Sequence, residues 1–341
     1  MKRFLFFFNL GVLAKCFAYY PMVFAGEINR FKREVARRDH FLIHYGHEYK
    51  IKPEIDEVKS LFQMIIESSL ILSWGLDQKV VRVGRMQVLD RYLDNLEVTN
   101  AVRSFAKSGE LDLKYFEYPF LKKCLHFIDH SGVTTNQFRE PEFFLSHLVD
   151  SQSYLDLNIK KEAKTGDYYY CGSHFLWLDQ FWSDNLIRLK NPIGLLVNHD
   201  TDLDRLKDKI DILNPLNEPG KIIIIIQLGA QLLMRFEEII HGLKKYNIKY
   251  ICNPSQVFEF RDAKKGLLYS ELQMNAIKFF YLCREHELSC GLHLDTTPGS
   301  SIECLGVNSS YKDLDGSHFR LNKNQTIELS GYLSNLKNMI R

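Results

Sequence analysis

Residues 221–229 read KIIIIIQLG. A strand turns successive side chains to opposite faces, so five consecutive isoleucines leave it no polar face. Such a strand is buried on both sides, as in a parallel sheet covered by helices. Six more short apolar runs lie on either side of it: FLIHYG (41–46), KVVRVGR (79–85), HFLWL (174–178), IGLLV (193–197), KYICNP (249–254) and SCGLHLD (289–295). Between them the spacing turns helical. EIDEVKSLFQMIIESSLIL (54–72) puts Val58, Leu61, Phe62, Ile65 and Ile66 on one stripe. LLMRFEEIIHGLKKY (232–246) does the same with Leu233, Phe236, Ile240 and Leu243, and LYSELQMNAIKFFYLCREH (268–286) is a third such segment.

Repeated strand–helix alternation predicts an α/β fold with a parallel sheet. Seven strands, with an eighth expected at 311–319, favour a closed (β/α)8 TIM barrel over an open doubly wound sheet. No GxGxxG follows the first strand, which argues against a nucleotide cofactor. The expected organisation is one barrel domain over 1–341, with an N-terminal extension (1–40) and a mainly helical insertion (96–172) between the second and third strands.

The chain has 341 residues, 45% hydrophobic and 25% charged, with a formal net charge of +2. That balance gives no electrostatic case for nucleic acid or for an anionic membrane surface. Its seven cysteines show no CxxC spacing, which reads as reduced thiols in a cytoplasmic protein. The start, MKRFLFFFNLGVLAKCFA, has the basic and apolar regions of a secretory signal, but Asn9 and Lys15 interrupt the apolar run. It is expected to be a helix packed on the body. No uninterrupted apolar stretch reaches the roughly 20 residues of a membrane span.

Barrel sites form at the C-terminal ends of the strands. Those ends give a polar ring: His44, His47 and Glu48; Arg85; Gln180; Asn198 and His199; Gln227; Asn253 and Gln256; His293 and Asp295; and His318. In GLHLDTTPGSSIECLG (291–306), His293 and Asp295 are two apart and therefore share a face. Singly, each ring member reads as a solvated strand end. Together they read as a site for a small molecule.

The ordered pieces also resemble a family. PMVFAGEINRFKREV (21–35), LFQMIIESSLILSWG (61–75), VVRVGRM (80–86), TGDYYYCGSHFLWL (165–178), NPIG (191–194), IIQLGA (225–230), CNP (252–254), GLHLDTTPGSSIECLG and RLNKNQTIELS (320–330) are similar, in order, to class II DAHP synthases. Those enzymes condense phosphoenolpyruvate with erythrose 4-phosphate. The resemblance implies a (β/α)8 barrel, a divalent metal and a homo-oligomer.

Its departures bear on function. Where the family's four metal ligands stand, this sequence has Glu48 for a cysteine, Gln256 for a histidine, Asp295 for a glutamate and His318 for an aspartate. These donors favour Mn(II), Fe(II) or Mg(II) over Zn(II). Arg85 matches a phosphate-binding arginine. Of the family's other groups at that site, a glutamate is replaced by Gln180 and three cations by Phe181, Leu196 and Gln227, and YLDN (92–95) stands for the sugar-phosphate segment. Charge-assisted hydrogen bonds contribute about 1.5–3 kcal/mol each, so losing three cations removes roughly 4–9 kcal/mol of phosphoenolpyruvate binding.

Three readings follow. The first is a repurposed metal-dependent enzyme of a specialised biosynthetic pathway. Its catalytic groups would be Arg85, His174 and His293, its substrate-binding groups Arg85, Gln180, Gln227 and Arg320, and its metal ligands Glu48, Gln256, Asp295 and His318. The second is a non-catalytic barrel that binds a protein partner. The third is an altered DAHP-type synthase using other substrates.

Overall fold

The computed structural model describes residues 23–49, 52–76, 78–88, 92–108, 143–149, 155–156, 158–178, 182–227, 232–254, 269–298 and 320–339. Eight parallel strands close a barrel: β1 (His40–Tyr49), β2 (Lys79–Val88), β3 (Phe144–Val149), β6 (Phe175–Leu178), β7 (Ile193–Asn198), β8 (Ile222–Gln227), β9 (Ile248–Cys252) and β10 (Cys290–Asp295). They pair in that order and β10 returns to β1. Two short strands, β4 (Ile159–Lys161) and β5 (Tyr168–Tyr170), form a separate antiparallel pair. The helices are α1 (Ala25–Ala36), α2 (Ile55–Leu76), α3 (Tyr92–Ser108), α4 (Leu203–Leu213), α5 (Leu232–Leu243), α6 (Tyr269–Glu285) and α7 (Lys323–Met339).

The period of two along each strand sorts side chains between helices and barrel interior. Phe41, Ile43 and Tyr45 of β1 join the outer core with Val58, Leu61, Phe62, Ile65 and Ile66 of α2. Leu42, Val81, Val83, Phe144, Phe175, Trp177, Ile223, Ile225 and Ile251 form the inner core. The isoleucine run of β8 splits between both, with Ile222, Ile224 and Ile226 outside and Ile223 and Ile225 inside.

Within the N-terminal extension, α1 closes the bottom of the barrel. Its Phe31 and Val35 join the inner core, with the Phe31 ring 4.8 Å from Phe144 and 6.0 Å from Phe175. Lys249, buried at the start of β9, donates from Nζ to the carbonyls of Val35, Arg37 and His40. It thereby ties the C-terminal end of α1 to the first residue of β1.

One expectation is corrected in its place. The eighth barrel strand is Phe144–Val149, inside the stretch read as a helical insertion. FLSHLV lacks an apolar–polar alternation because both its faces are buried, and its polar members are satisfied internally. Ser146 meets His44, and His147 lies 3.0 Å from the Tyr170 hydroxyl. Residues 311–319, where an eighth strand was expected, lie outside the described residues, as do 109–142 of the insertion and 1–22. No helix among the described residues is long and apolar enough to cross a membrane. Cys171, Cys252, Cys283 and Cys290 are free thiols.

Candidate functional site

The upper barrel is where β1, β2 and β10 bring polar residues inward. Register places His44 beside His293, and Gly46 beside both Asp295 and Arg85. These positions, two apart on each strand, share the interior face.

They form one continuous chain of contacts. Ser146 Oγ lies 2.5 Å from His44 Nε2. His44 Nδ1 lies 2.5 Å from His293 Nδ1, and the two rings stack with centroids 4.6 Å apart. His293 Nε2 lies 3.1 Å from Asp295 Oδ1, and Arg85 Nη2 donates to the same oxygen at 3.4 Å. Trp177 walls the chain. Its ring is 4.5 Å from His293, 5.0 Å from His44 and 5.1 Å from the Arg85 guanidinium.

Burial sets the electrostatics. His44 is fully buried, and burial first, then His293 and Arg85, holds its imidazole well below the usual range. It is therefore neutral. Arg85 and Asp295 pair within the barrel, so the guanidinium that the sequence offered to an external anion already faces a carboxylate.

Gly46 makes the approach possible. A Cβ there would lie 2.3 Å from Asp295 Oδ1, 2.9 Å from His293 Cε1 and 3.1 Å from Arg85 Nη2. Only a residue without a side chain lets the three groups lie against β1.

Of the expected site residues, Arg85, His293 and Asp295 are brought together. Gln227 ends β8 facing inward beside Asn198, half-buried, and Leu196 packs against the inner core below them. Arg320 begins a segment that docks on the end of β10, where Leu321 N donates to Asp295 O and Thr297 N donates to Leu321 O, both at 2.8 Å.

His174 is a correction. It stands before β6, at the opposite end of the barrel from the mouth. Its Nδ1 accepts from Leu145 N at 2.9 Å, and its ring packs on Phe144 and Phe31. Burial pushes its pKa down to about 3, so it is a neutral core histidine and touches no mouth residue. His47 points to the outer face, with Nδ1 2.6 Å from Thr296 O, and burial lowers it to about 4.

Gln180, Gln256 and His318 lie outside the described residues, as does the side chain of Glu48. Among the described residues no three His, Cys, Asp or Glu side chains converge as a metal site. The chemistry of the four expected donors suits a hard divalent ion. Asp295, the member whose side chain is described, stands at the correct end of the barrel with Oδ1 turned to His293 and Arg85.

Sequence reasoning missed Ser146 because its strand was missed. It placed His44 in the polar ring without a role. The signal for His44 was present: it lies on β1 two residues before Gly46, on the inward face.

The comparisons agree with this architecture. The model of the "Class-II DAHP synthetase family" matches residues 91–334, more than half of the chain. The chain is 25% identical to a probable chloroplastic phospho-2-dehydro-3-deoxyheptonate aldolase of Catharanthus roseus, over 94% of this chain and 77% of that protein. It is 21% identical to a phospho-2-dehydro-3-deoxyheptonate aldolase of Streptomyces coelicolor (94% and 90% covered) and 23% identical to one of Neurospora crassa (91% and 86% covered). Family model and barrel together place the protein: this chain belongs to the class-II DAHP synthetase family.

Proposed function

We propose that this chain is a repurposed barrel enzyme that acts on a small molecule at the C-terminal mouth and does not condense phosphoenolpyruvate with erythrose 4-phosphate. The observation that carries the reading is the chain Ser146–His44–His293–Asp295–Arg85, which climbs from an apolar interior to a partly exposed Asp295 at the mouth. Burying Ser146, His44, His293 and Arg85 costs free energy unless each is paired, and a barrel kept only as scaffold could fill the same space with aliphatic residues. In this reading His293 exchanges a proton with the substrate, Arg85, its charge matched by Asp295, orients a substrate carbonyl, and Trp177 supplies an apolar wall. Gln227 and Arg320 are its further candidate substrate-binding groups.

The substrate class follows from charge. Leu196 and Gln227 offer no cation, and Arg85 is matched by Asp295. A substrate carrying two phosphates would leave its charge unpaired in a partly desolvated mouth. The reading includes a divalent ion, Mn, Fe or Mg before Zn, with Glu48, Gln256, Asp295 and His318 as its ligands. Bound there it would polarise a carbonyl or activate water.

The test is product formation from phosphoenolpyruvate and erythrose 4-phosphate with Mn(II), Fe(II), Mg(II) or Zn(II) supplied in turn. No product above background is expected. Turnover at an ordinary enzymatic rate, about 1 per second or faster, would return the chain to DAHP-type synthesis.

A further inference from the structure

We propose that a cavity at the bottom of the barrel, at the opposite end from the mouth, binds a small monocarboxylate with an apolar body.

The cavity measures about 350 Å³ and lies where the C-terminal ends of α1, α5 and α6 meet the start of β9 and the turn into β10. That volume is in the range of small-molecule sites. Val35 of α1, Ile240 and Leu243 of α5, Ile248 and Tyr250 of β9, and Leu288 give it apolar wall. Arg38, Lys244 and Glu287 line it as exposed charged residues.

The two cations are not spent on the helices. Helix C-termini carry partial negative charge, which basic side chains commonly offset. Here other groups meet those ends. Lys249 Nζ takes the carbonyls of Val35 and Arg37 at the end of α1. His241 Nδ1 donates to Glu237 O in the last turn of α5. The end of α6 closes on itself, with Leu288 N donating to Cys283 O at 2.7 Å and Glu287 N to Arg284 O at 3.1 Å. Among the described residues neither the Arg38 guanidinium nor the Lys244 ammonium has a partner. Glu287 offsets one of these two charges, which leaves one positive charge over. A ligand with a single negative charge matches it, and a second negative charge would go unpaired.

The wall also carries unused hydrogen-bonding atoms. His286 Nε2 and Ser289 Oγ both belong to the turn from α6 to β10, and both residues line the cavity. The two atoms are shut from solvent and pair with no atom among the described residues. Buried polar atoms nearly always have a partner, so two orphans beside one cavity point to a ligand. Each residue is itself partly exposed, so a small shift of the side chain brings its polar atom to the cavity surface. Both can donate to a carboxylate, which only accepts.

The test is isothermal titration calorimetry of the full chain with 2-naphthoate, a rigid aromatic monocarboxylate, and with 2-naphthamide, its uncharged counterpart. One site with Kd below about 1 mM is expected for the carboxylate, and binding weaker by about tenfold or more for the amide, the worth of one charge-assisted contact. Arg38→Ala/Lys244→Ala alters two exposed side chains, so the fold should survive and the affinity for 2-naphthoate should drop by about tenfold or more. His286→Leu and Ser289→Ala should each weaken it by about threefold or more. No binding, equal affinity for the amide, or an unchanged affinity in the Arg38/Lys244 variant, as binding at the mouth would give, would overturn the proposal. Unchanged affinity in both turn variants would overturn it as well. Binding needs neither turnover nor metal, so it can fail while the proposed function stands, and the product assay can fail while it holds.

Discussion

Asp295 Oδ1 lies 2.3 Å from the point where Gly46 would carry a Cβ, so the carboxylate rests directly on the backbone of the neighbouring strand. Gly46→Ala must therefore move Asp295, and with it His293 and Arg85. Forcing a methyl group into a packed interior costs about 1–3 kcal/mol. The expected result is a lowered midpoint in chemical denaturation with an unchanged slope. An unaltered midpoint would mean that the three side chains are not held where the structure places them.

Acid should unfold the protein through its neutral histidines. Burial pushes His47 and His147 down to about 4 and His174 to about 3. In the unfolded chain each titrates near 6.5. Between these limits the unfolded state binds more protons than the folded one, so stability is complete above about pH 6.5 and falls as pH drops towards 4. With all three contributing, the slope reaches about 4 kcal/mol per pH unit. Urea titrations at pH 7, 6 and 5 would measure it, and a flat response would show these imidazoles to be solvated.

The metal ligand set predicts near-stoichiometric Mn, Fe or Mg in the purified protein. An Asp295→Ala/His318→Ala double variant should lose it, by elemental mass spectrometry. No metal in either protein after supply of Mn(II), Fe(II), Mg(II) and Zn(II) would remove the ion from the proposal and turn the search towards a protein partner.

Restoring cations should restore phosphate binding. Leu196 and Gln227 face the interior on neighbouring strands, one layer apart. Leu196→Lys with Gln227→Arg should create affinity for inorganic phosphate, with each charge-assisted contact contributing about 1.5–3 kcal/mol. The readout is a phosphate-dependent rise in melting temperature, weakened by salt, in the double variant and absent from the wild type. Equal stabilisation of both would mean that the wild-type mouth already holds phosphate.

The sequence by itself determined the barrel. KIIIIIQLG, VVRVGR and IGLLV declare strands buried on both faces, and α2, α5 and α6 carry the stripes that cover them, because strand and helix periods are local properties of the chain. It also determined that Leu196 and Gln227 carry no charge and that His293 and Asp295 share a face. The tertiary structure decided the rest. FLSHLV is a barrel strand only because His44 and Tyr170 meet its polar residues, and neither is near it in sequence. His44 and His293 are 249 residues apart and touch because β10 closes the barrel against β1 in one register. His174 was a catalytic candidate and is a floor residue, since it precedes its strand and only the strand's far end reaches the site. Arg85 looked free for an anion and is paired. Which charges cancel depends on distances across strands, and those exist only once the sheet has closed.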